Sequence, residues 1–236
     1  MRVAITRPQA DGERSAKALR AHGHEVLLAP LMRVEPVAAN LSGHWSAIVI
    51  TSANAPAALA GNAARPPLLA LPLFAVGERS AAAARDAGFT NVEAAGGDVH
   101  DLVLLIAERH RDTLPLLYLA GEDRAADLVG ELARHRINAE MRVVYRAVTT
   151  PLPPAIIDAL RAGTVDAVLH YSKRSAENYV AGARAAGIVH EGLAVRHLCL
   201  SAQVAAPLQA AGAPHISVAK RPEEAALIEL LGHSGG

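Results

Sequence analysis

The chain has 236 residues, 51% of them hydrophobic, with 23 basic and 23 acidic side chains and only 3% aromatic residues. That balance of charge excludes the broad basic footprint of a nucleic-acid or membrane-surface binder, and equally an acidic tail. The apolar content is that of a globular protein with one large core or two smaller ones. The opening "MRVAITRPQADGERS" brings charge after a few apolar residues, without the long apolar stretch of a secretory signal. Nowhere do eighteen apolar residues run together, so the expected location is cytoplasmic, with no membrane partner.

In chain order, "RVAIT", "SAIVITS", "PLFAVG", "LPLLYLAG", "DAVLHYS", "HLCLSA" and "HISVAK" each read as a short strand followed by a turn and a helical pattern. This alternation predicts α/β architecture with mainly parallel sheets. A loose module recurs: Ala16, Leu19, Gly23, Val26, then Ala81, Ala84, Gly88, Val92, then Ala205, Leu208, Gly212, Ile216. It describes a helix with one small or apolar face, a glycine at the left-handed C′ position, and the next strand. After Gly121 the pattern continues through Ala125, Leu128 and Leu132 but meets Arg136 where glycine is expected, leaving that helix stop open. The repetition fits two flavodoxin-like α/β domains.

Two segments are too long for ordinary strands. "EVLLAPLMRVEPV" (25–37) and "AEMRVVYRAVTT" (139–150) would each extend roughly 40 Å at ~3.3 Å per residue, against a usual strand of about five or six residues. The economical reading is a two-stranded β connector between domains, one discontinuous (1–36 and 149–236) and one inserted (37–148), with a cleft between them. Pro30 and Pro36 are tolerable if the connector is mostly edge. Cys199, the single cysteine, lies in an apolar stretch and reads as buried packing.

Parallel sheets bind ligands beyond the carboxyl ends of their strands. The turns there carry Thr6 and Arg7, then Thr51, Ser52 and Asn54, then Gly77, Arg79 and Ser80, then Gly121 and Arg124, then Ser172, Lys173, Arg174 and Ser175, and finally Ser201 and Gln203. Hydroxyls, glycines and cations suit carboxylates or phosphates, although serine and threonine also cap helices in their own right. There is no G-x-G-x-x-G after a strand, no Walker-type loop and no G-x-S-x-G. With those loops absent a dinucleotide or nucleoside triphosphate cofactor is not expected, and the eleven histidines offer no third ligand at zinc spacing, so neither is a metal. Asp123, Asp166, Glu223 and Glu224 read as surface or helix-start carboxylates.

Tyr145, one of four tyrosines, stands in the β-branched run "VVYRAVTT". Phenols ionise near pH ~10, so a phenol facing a ligand cleft can donate a proton to a departing oxygen. The alternative is a tyrosine that packs across the connector pair. Tyr118 reads as core, and Tyr171 and Tyr179 are open.

Taken together, "ITRP", "APLMRVEP", "IVITSANA", "FAVGERSAAAARDAG", "LYLAGEDR", "VVYRAV", "HYSKRSAENY" and "CLSAQVAAPLQAAG" resemble the uroporphyrinogen-III synthase family across nearly the whole chain. The resemblance lies in their order and spacing. It implies two α/β domains on a two-stranded ladder and a cofactor-independent lyase of tetrapyrrole (haem) biosynthesis. Such enzymes take hydroxymethylbilane, expel water and close the macrocycle with the last pyrrole inverted. The family's candidate acid falls on Tyr145. Its substrate-contacting hydroxyls match Ser52 and Ser80 in kind, and Ser172 and Ser201 by strand-end position. Gln203 and Val204 stand where relatives often carry hydroxyls. Arg7, Arg79 and Arg124 are electrostatic candidates for a substrate with eight carboxylates, and Thr51, Gly77, Gly121, Ser175 and Gln203 complete the expected substrate-binding set. The resemblance leaves a monomer with transient contact to the preceding pathway enzyme as the expected assembly. Two rivals remain: a non-catalytic two-domain polyanion binder, and a doubly wound interaction domain.

Overall fold

The computed structural model describes residues 1–124 and 126–232; Ala125 of the recurring module lies outside them. The chain forms β1 (Arg2–Ile5), α1 (Gln9–Ala21), β2 (Glu25–Leu28), β3 (Met32–Pro36), β4 (Ala47–Ile50), α2 (Asn54–Ala58), α3 (Arg65–Leu68) and β5 (Leu73–Ala75). It continues through α4 (Glu78–Asp86), β6 (Val92–Ala94), α5 (Val99–Arg109), β7 (Leu116–Gly121), α6 (Leu128–Arg134), β8 (Ala139–Thr149) and α7 (Pro154–Arg161). It ends with β9 (Ala167–His170), α8 (Lys173–Ala185), α9 (Val189–Ala194), β10 (Arg196–Cys199), α10 (Ala202–Ala210), β11 (Ile216–Val218) and α11 (Glu224–Gly232). As the alternation implies, this is α/β with mainly parallel sheets. Two compact units result, Met1–Arg33 with Val148–Gly236, and Val34–Ala147. The chain passes from the first to the second inside β3 and returns inside β8.

The first unit holds a five-stranded sheet in the order β11-β10-β9-β1-β2, with parallel pairing throughout. Its central strands, β1, β9 and β10, bury both faces. Val3, Ile5, Leu169 and Leu198 enter one core with Leu227 of α11, while Ala4, Val168 and Cys199 enter the other with Tyr179 of α8. That two-sided burial is why these strands read as continuous apolar runs. Cys199 is fully buried, and burial pushes its thiol up to about 12. His170 and His197 are also fully buried here, with Nε2 and Nδ1 3.1 Å apart.

The second unit holds a six-stranded sheet in the order β3-β8-β7-β4-β5-β6, with β4 to β8 parallel. Ile48, Ile50, Leu117 and Leu119 face one core, and Val49, Leu116, Tyr118 and Ala120 the other. Beside β8, Val37 N donates to Val144 O (2.8 Å) and Thr150 N to Leu31 O (3.0 Å). The numbers rise on one segment as they fall on the other, so this pair runs antiparallel.

The uninterrupted strand expected over 25–37 is a correction: it divides into β2 and β3 at Ala29-Pro30-Leu31. Ala29 N still extends the β1 ladder by donating to Ile5 O (2.9 Å), but Pro30 has no N–H to continue it. The Pro30 carbonyl accepts from Thr150 Oγ1 (2.6 Å), and Leu31 is fully buried. By contrast β8 runs eleven residues without a break. Arg136 resolves the open helix stop after α6 by adopting the left-handed conformation itself, at φ 59°. Its N–H donates to Ala133 O (2.9 Å) and that of Ile137 to Leu132 O (3.1 Å), the helix-ending pattern that glycine usually serves. Among the described residues no helix is long and apolar enough to cross a membrane.

Candidate active site

Strand order alone locates one crevice in each sheet. In the second unit the chain proceeds from β4 outward to β5 and β6, and from β7 the other way to β8, so the order reverses between β4 and β7. A crevice opens beyond the carboxyl ends of strands at such a reversal. Thr51 follows β4, Gly121 ends β7, and the Thr51 Oγ1 and Tyr118 OH share a hydrogen bond of 2.9 Å there. Tyr118 is only 3% exposed. Burial holds its phenol above the ordinary range, against the pull of the Thr51 hydrogen bond. The core reading of Tyr118 thus describes its ring, while its hydroxyl belongs to the crevice.

Tyr145 reaches the same place through an irregularity. The β7–β8 register steps from Ala120 opposite Val143 to Gly121 opposite Tyr145, skipping Val144. In a regular strand adjacent side chains face opposite ways. The bulge lets both Val144 and Tyr145 lie against one core, and it turns the phenol over Gly121. A Cβ at Gly121 would stand 2.6 Å from Tyr145 Cζ and 2.7 Å from its hydroxyl oxygen, so only glycine leaves room for the ring. Glu122 N donates to the Tyr145 carbonyl (2.9 Å) and fastens the turn.

Arg124 folds over that turn, its Nη1 donating to Gly121 O (3.1 Å) and Glu122 O (2.9 Å). With Tyr118, Asp127, Leu128 and Met141 it lines a pocket of about 550 Å³. Ser52 Oγ accepts from Asn54 N (3.2 Å) in the turn that opens α2. Gly77 precedes α4 in extended backbone, and its absent Cβ would lie 3.2 Å from Gly97 Cα. Arg79 is exposed on α4, and Ser80 is buried beside it.

In the first unit the order reverses between β1 and β9. Thr6 Oγ1 donates across this point to Leu169 O (2.9 Å). Arg7, next in sequence, has its guanidinium 4.3 Å from the Tyr171 ring centroid and donates from Nη1 to Ser15 Oγ (3.0 Å) and Glu224 Oε1 (3.2 Å). Glu224, read as a surface or helix-start carboxylate, is therefore part of the crevice, as is Tyr171, whose hydroxyl donates to the same oxygen (3.1 Å). Burial raises the Tyr171 phenol well above its ordinary value, and the Glu224 carboxylate adds to that. Two of the expected hydroxyls are already occupied: Ser172 accepts from Ser175 N (3.1 Å), and Ser175 Oγ accepts from Ser172 N (3.3 Å), a reciprocal cap on α8. Ser201 precedes α10 but makes no such capping bond, and Gln203 is exposed in that helix's first turn.

The expected residues are thus gathered at the carboxyl edge of each sheet. Sequence patterns alone missed Tyr118 OH, Tyr171, Ser15 and Glu224. For one of them, Tyr171, the position just after β9 was the available signal. Among the described residues no three His, Cys, Asp or Glu side chains converge as a metal ion would need.

Comparison with known proteins follows the same line. The family model described as uroporphyrinogen-III synthase HemD matches residues 13–229. No curated protein matches the chain. Among solved structures, the uroporphyrinogen-III synthetase of Helicobacter pylori 26695 is 20% identical, with 98% of each chain covered and a TM-score of 0.66, which establishes a shared fold. A mutant uroporphyrinogen III synthase from the extremely thermophilic bacterium Thermus thermophilus is also 20% identical over 98% of each chain, at a TM-score of 0.48. With the family model spanning nearly all of its length, the chain belongs to the uroporphyrinogen-III synthase family.

Proposed function

We propose that this family member cyclises hydroxymethylbilane to uroporphyrinogen III with Tyr145 as proton donor. The observation that carries the reading is the placement of the Tyr145 ring over Gly121, beside the point where the strand order reverses. Loss of hydroxide from an electron-rich pyrrolylmethanol leaves an azafulvene cation stabilised by the ring nitrogen, so the demand on acid catalysis is modest. Tyr145 delivers the proton to the departing hydroxyl, which leaves as water. The terminal pyrrole then attacks through its substituted carbon to give a spiro intermediate, which fragments and recloses inverted through the ring's unsubstituted α-carbon, whose released proton balances the one Tyr145 supplied. Holding the reacting carbons in contact is the larger task, and it falls to donors that match carboxylates: Arg7, Thr51, Ser52, Arg79, Ser80, Arg124, Ser201 and Gln203, with backbone N–H groups at Gly77 and Gly121. Ser172 and Ser175, whose hydroxyls cap α8, contribute through the turn they hold. The protein acts in the cytoplasm as a monomer and takes its short-lived substrate in transient contact with the preceding enzyme.

The test is a chromatographic assay for the inverted-ring isomer. Tyr145→Phe should lower turnover by about 10², within the usual range for a general acid, while the fold is retained. A loss below about fivefold would reduce Tyr145 to a packing residue.

A further inference from the structure

In the first unit, three donors from separate parts of the chain meet on one carboxylate oxygen. Arg7 Nη1 lies 3.2 Å and Tyr171 OH 3.1 Å from Glu224 Oε1, and Ser15 Oγ makes a third hydrogen bond to it. The Arg7 guanidinium carbon stands over the Tyr171 ring, 4.3 Å from its centroid. The point of convergence lies between β1 and β9, where the strand order of this sheet reverses and where an open α/β sheet takes its ligand. The oxygen that fills it comes from the first residue of α11, more than two hundred positions from Arg7.

Its setting distinguishes this pair from a surface salt bridge. The Arg7 side chain is 19% exposed and that of Glu224 41%, and Ser15 is 1% exposed. Donors this enclosed favour an acceptor at the point where they meet, and here that acceptor is the Glu224 carboxylate. Glu224 also lines a second cavity, of about 700 Å³, with Ala18, His22, His24, Ile228 and Glu229. Glu224 thus borders open room between α1 and α11.

We infer that the β1–β9 crevice is a carboxylate-binding site and that Glu224 is its built-in competitor. A ligand carboxylate takes the place of Glu224 Oε1 on Arg7, Ser15 and Tyr171, and the Glu224 side chain moves into the cavity beside α1. The ligand class is an aliphatic carboxylate. Its natural source, which rests on the function proposed above, is an acidic side chain of the tetrapyrrole. An internal competitor raises the apparent dissociation constant by the inverse of the fraction of time the site is vacant. It therefore sets a threshold against small free carboxylates while leaving a multivalent ligand, anchored at other turns, able to displace it.

The test is titration of the full chain with glutarate, followed by NMR of the Arg7 Nε–H resonance, in the wild type, Glu224→Gln and Arg7→Gln, with chloride as ionic-strength control. Glu224→Gln should saturate at about a tenfold lower glutarate concentration than the wild type, the factor expected if Glu224 fills the site roughly nine-tenths of the time. Arg7→Gln should abolish saturable binding at the crevice, read from the Tyr171 ring resonances. Equal affinities in wild type and Glu224→Gln would overturn the competitor role, and undiminished binding in Arg7→Gln would overturn the site. Should Glu224→Gln fail to fold, the wild type alone decides: a saturable shift of Arg7 Nε–H with glutarate but not chloride is required. Uroporphyrin III, a stable octacarboxylate, supplies the second arm and should displace glutarate. If it leaves Arg7 unmoved, the substrate is not the ligand, whatever the isomer assay shows.

Discussion

Gly121→Ala isolates the placement of Tyr145 from its chemistry. The backbone of Gly121 lies outside the left-handed region, so alanine is acceptable there in itself, and the perturbation is the added methyl. That methyl would stand 2.6 Å from Tyr145 Cζ and 2.7 Å from Cε2, against an ordinary contact of about 3.5–4.0 Å between carbons. The ring must therefore retreat by about 1 Å, a displacement that can cost on the order of 10² in rate when it misplaces a reacting group. Overpacking of this kind costs about 1–3 kcal/mol, or roughly 2–12 °C in Tm for a chain of this size. The assay is formation of the inverted isomer by Gly121→Ala, Tyr145→Phe and the double variant, with thermal denaturation run alongside. If both single changes act through the same phenol, the double variant should lose no more than the worse single one. Losses that multiply, or a fully active Gly121→Ala, would refute the placement of the proton donor over Gly121.

Acid should weaken the first unit through His170 and His197. Burial drives His197 down to about 4, with the carbonyls of Leu193 and Gly192 pulling weakly the other way, and it drives His170 well below 6.5 with His197 adding to the effect. Both folded values lie below the unfolded one, so the unfolded chain takes up protons first. Stability is whole above pH 6.5 and falls as pH drops from 6.5 toward 4, by about 1.4 kcal/mol per unit for each histidine; urea denaturation at pH 7.5 and 5.0 should show it. Arg136→Gly should stabilise by about 1 kcal/mol, because arginine holds a left-handed conformation that costs an L residue roughly that much; no rise in Tm would show the strain to be relieved elsewhere. Ser172→Ala should cost about 1 kcal/mol through the lost cap on α8. Ser201→Ala, with no capping bond to lose, should leave Tm nearly unchanged and raise KM; the reverse pattern would exchange their roles.

What was legible in the sequence is what neighbours in the chain decide. Strand and helix alternate because apolar runs and small-residue helix faces are local patterns, and the turns that carry Arg7, Thr51, Gly121 and Ser201 follow from where each run stops. Even the length of β8 could be read directly. Tertiary structure decided the rest. Tyr145 needed a skipped residue opposite Ala120 and Gly121 and a neighbouring strand without a Cβ, and neither shows in "VVYRAVTT" taken alone. Pro30 divides the first connector because β1 claims Ala29 on one side and the first unit's core claims Leu31 on the other. Glu224 meets Arg7 only because the strand order reverses between β1 and β9 and α11 packs back onto the same sheet. Local patterns specify elements because they act over a few residues. A crevice built by crossover connections joins residues whose separation in sequence carries no periodic signal.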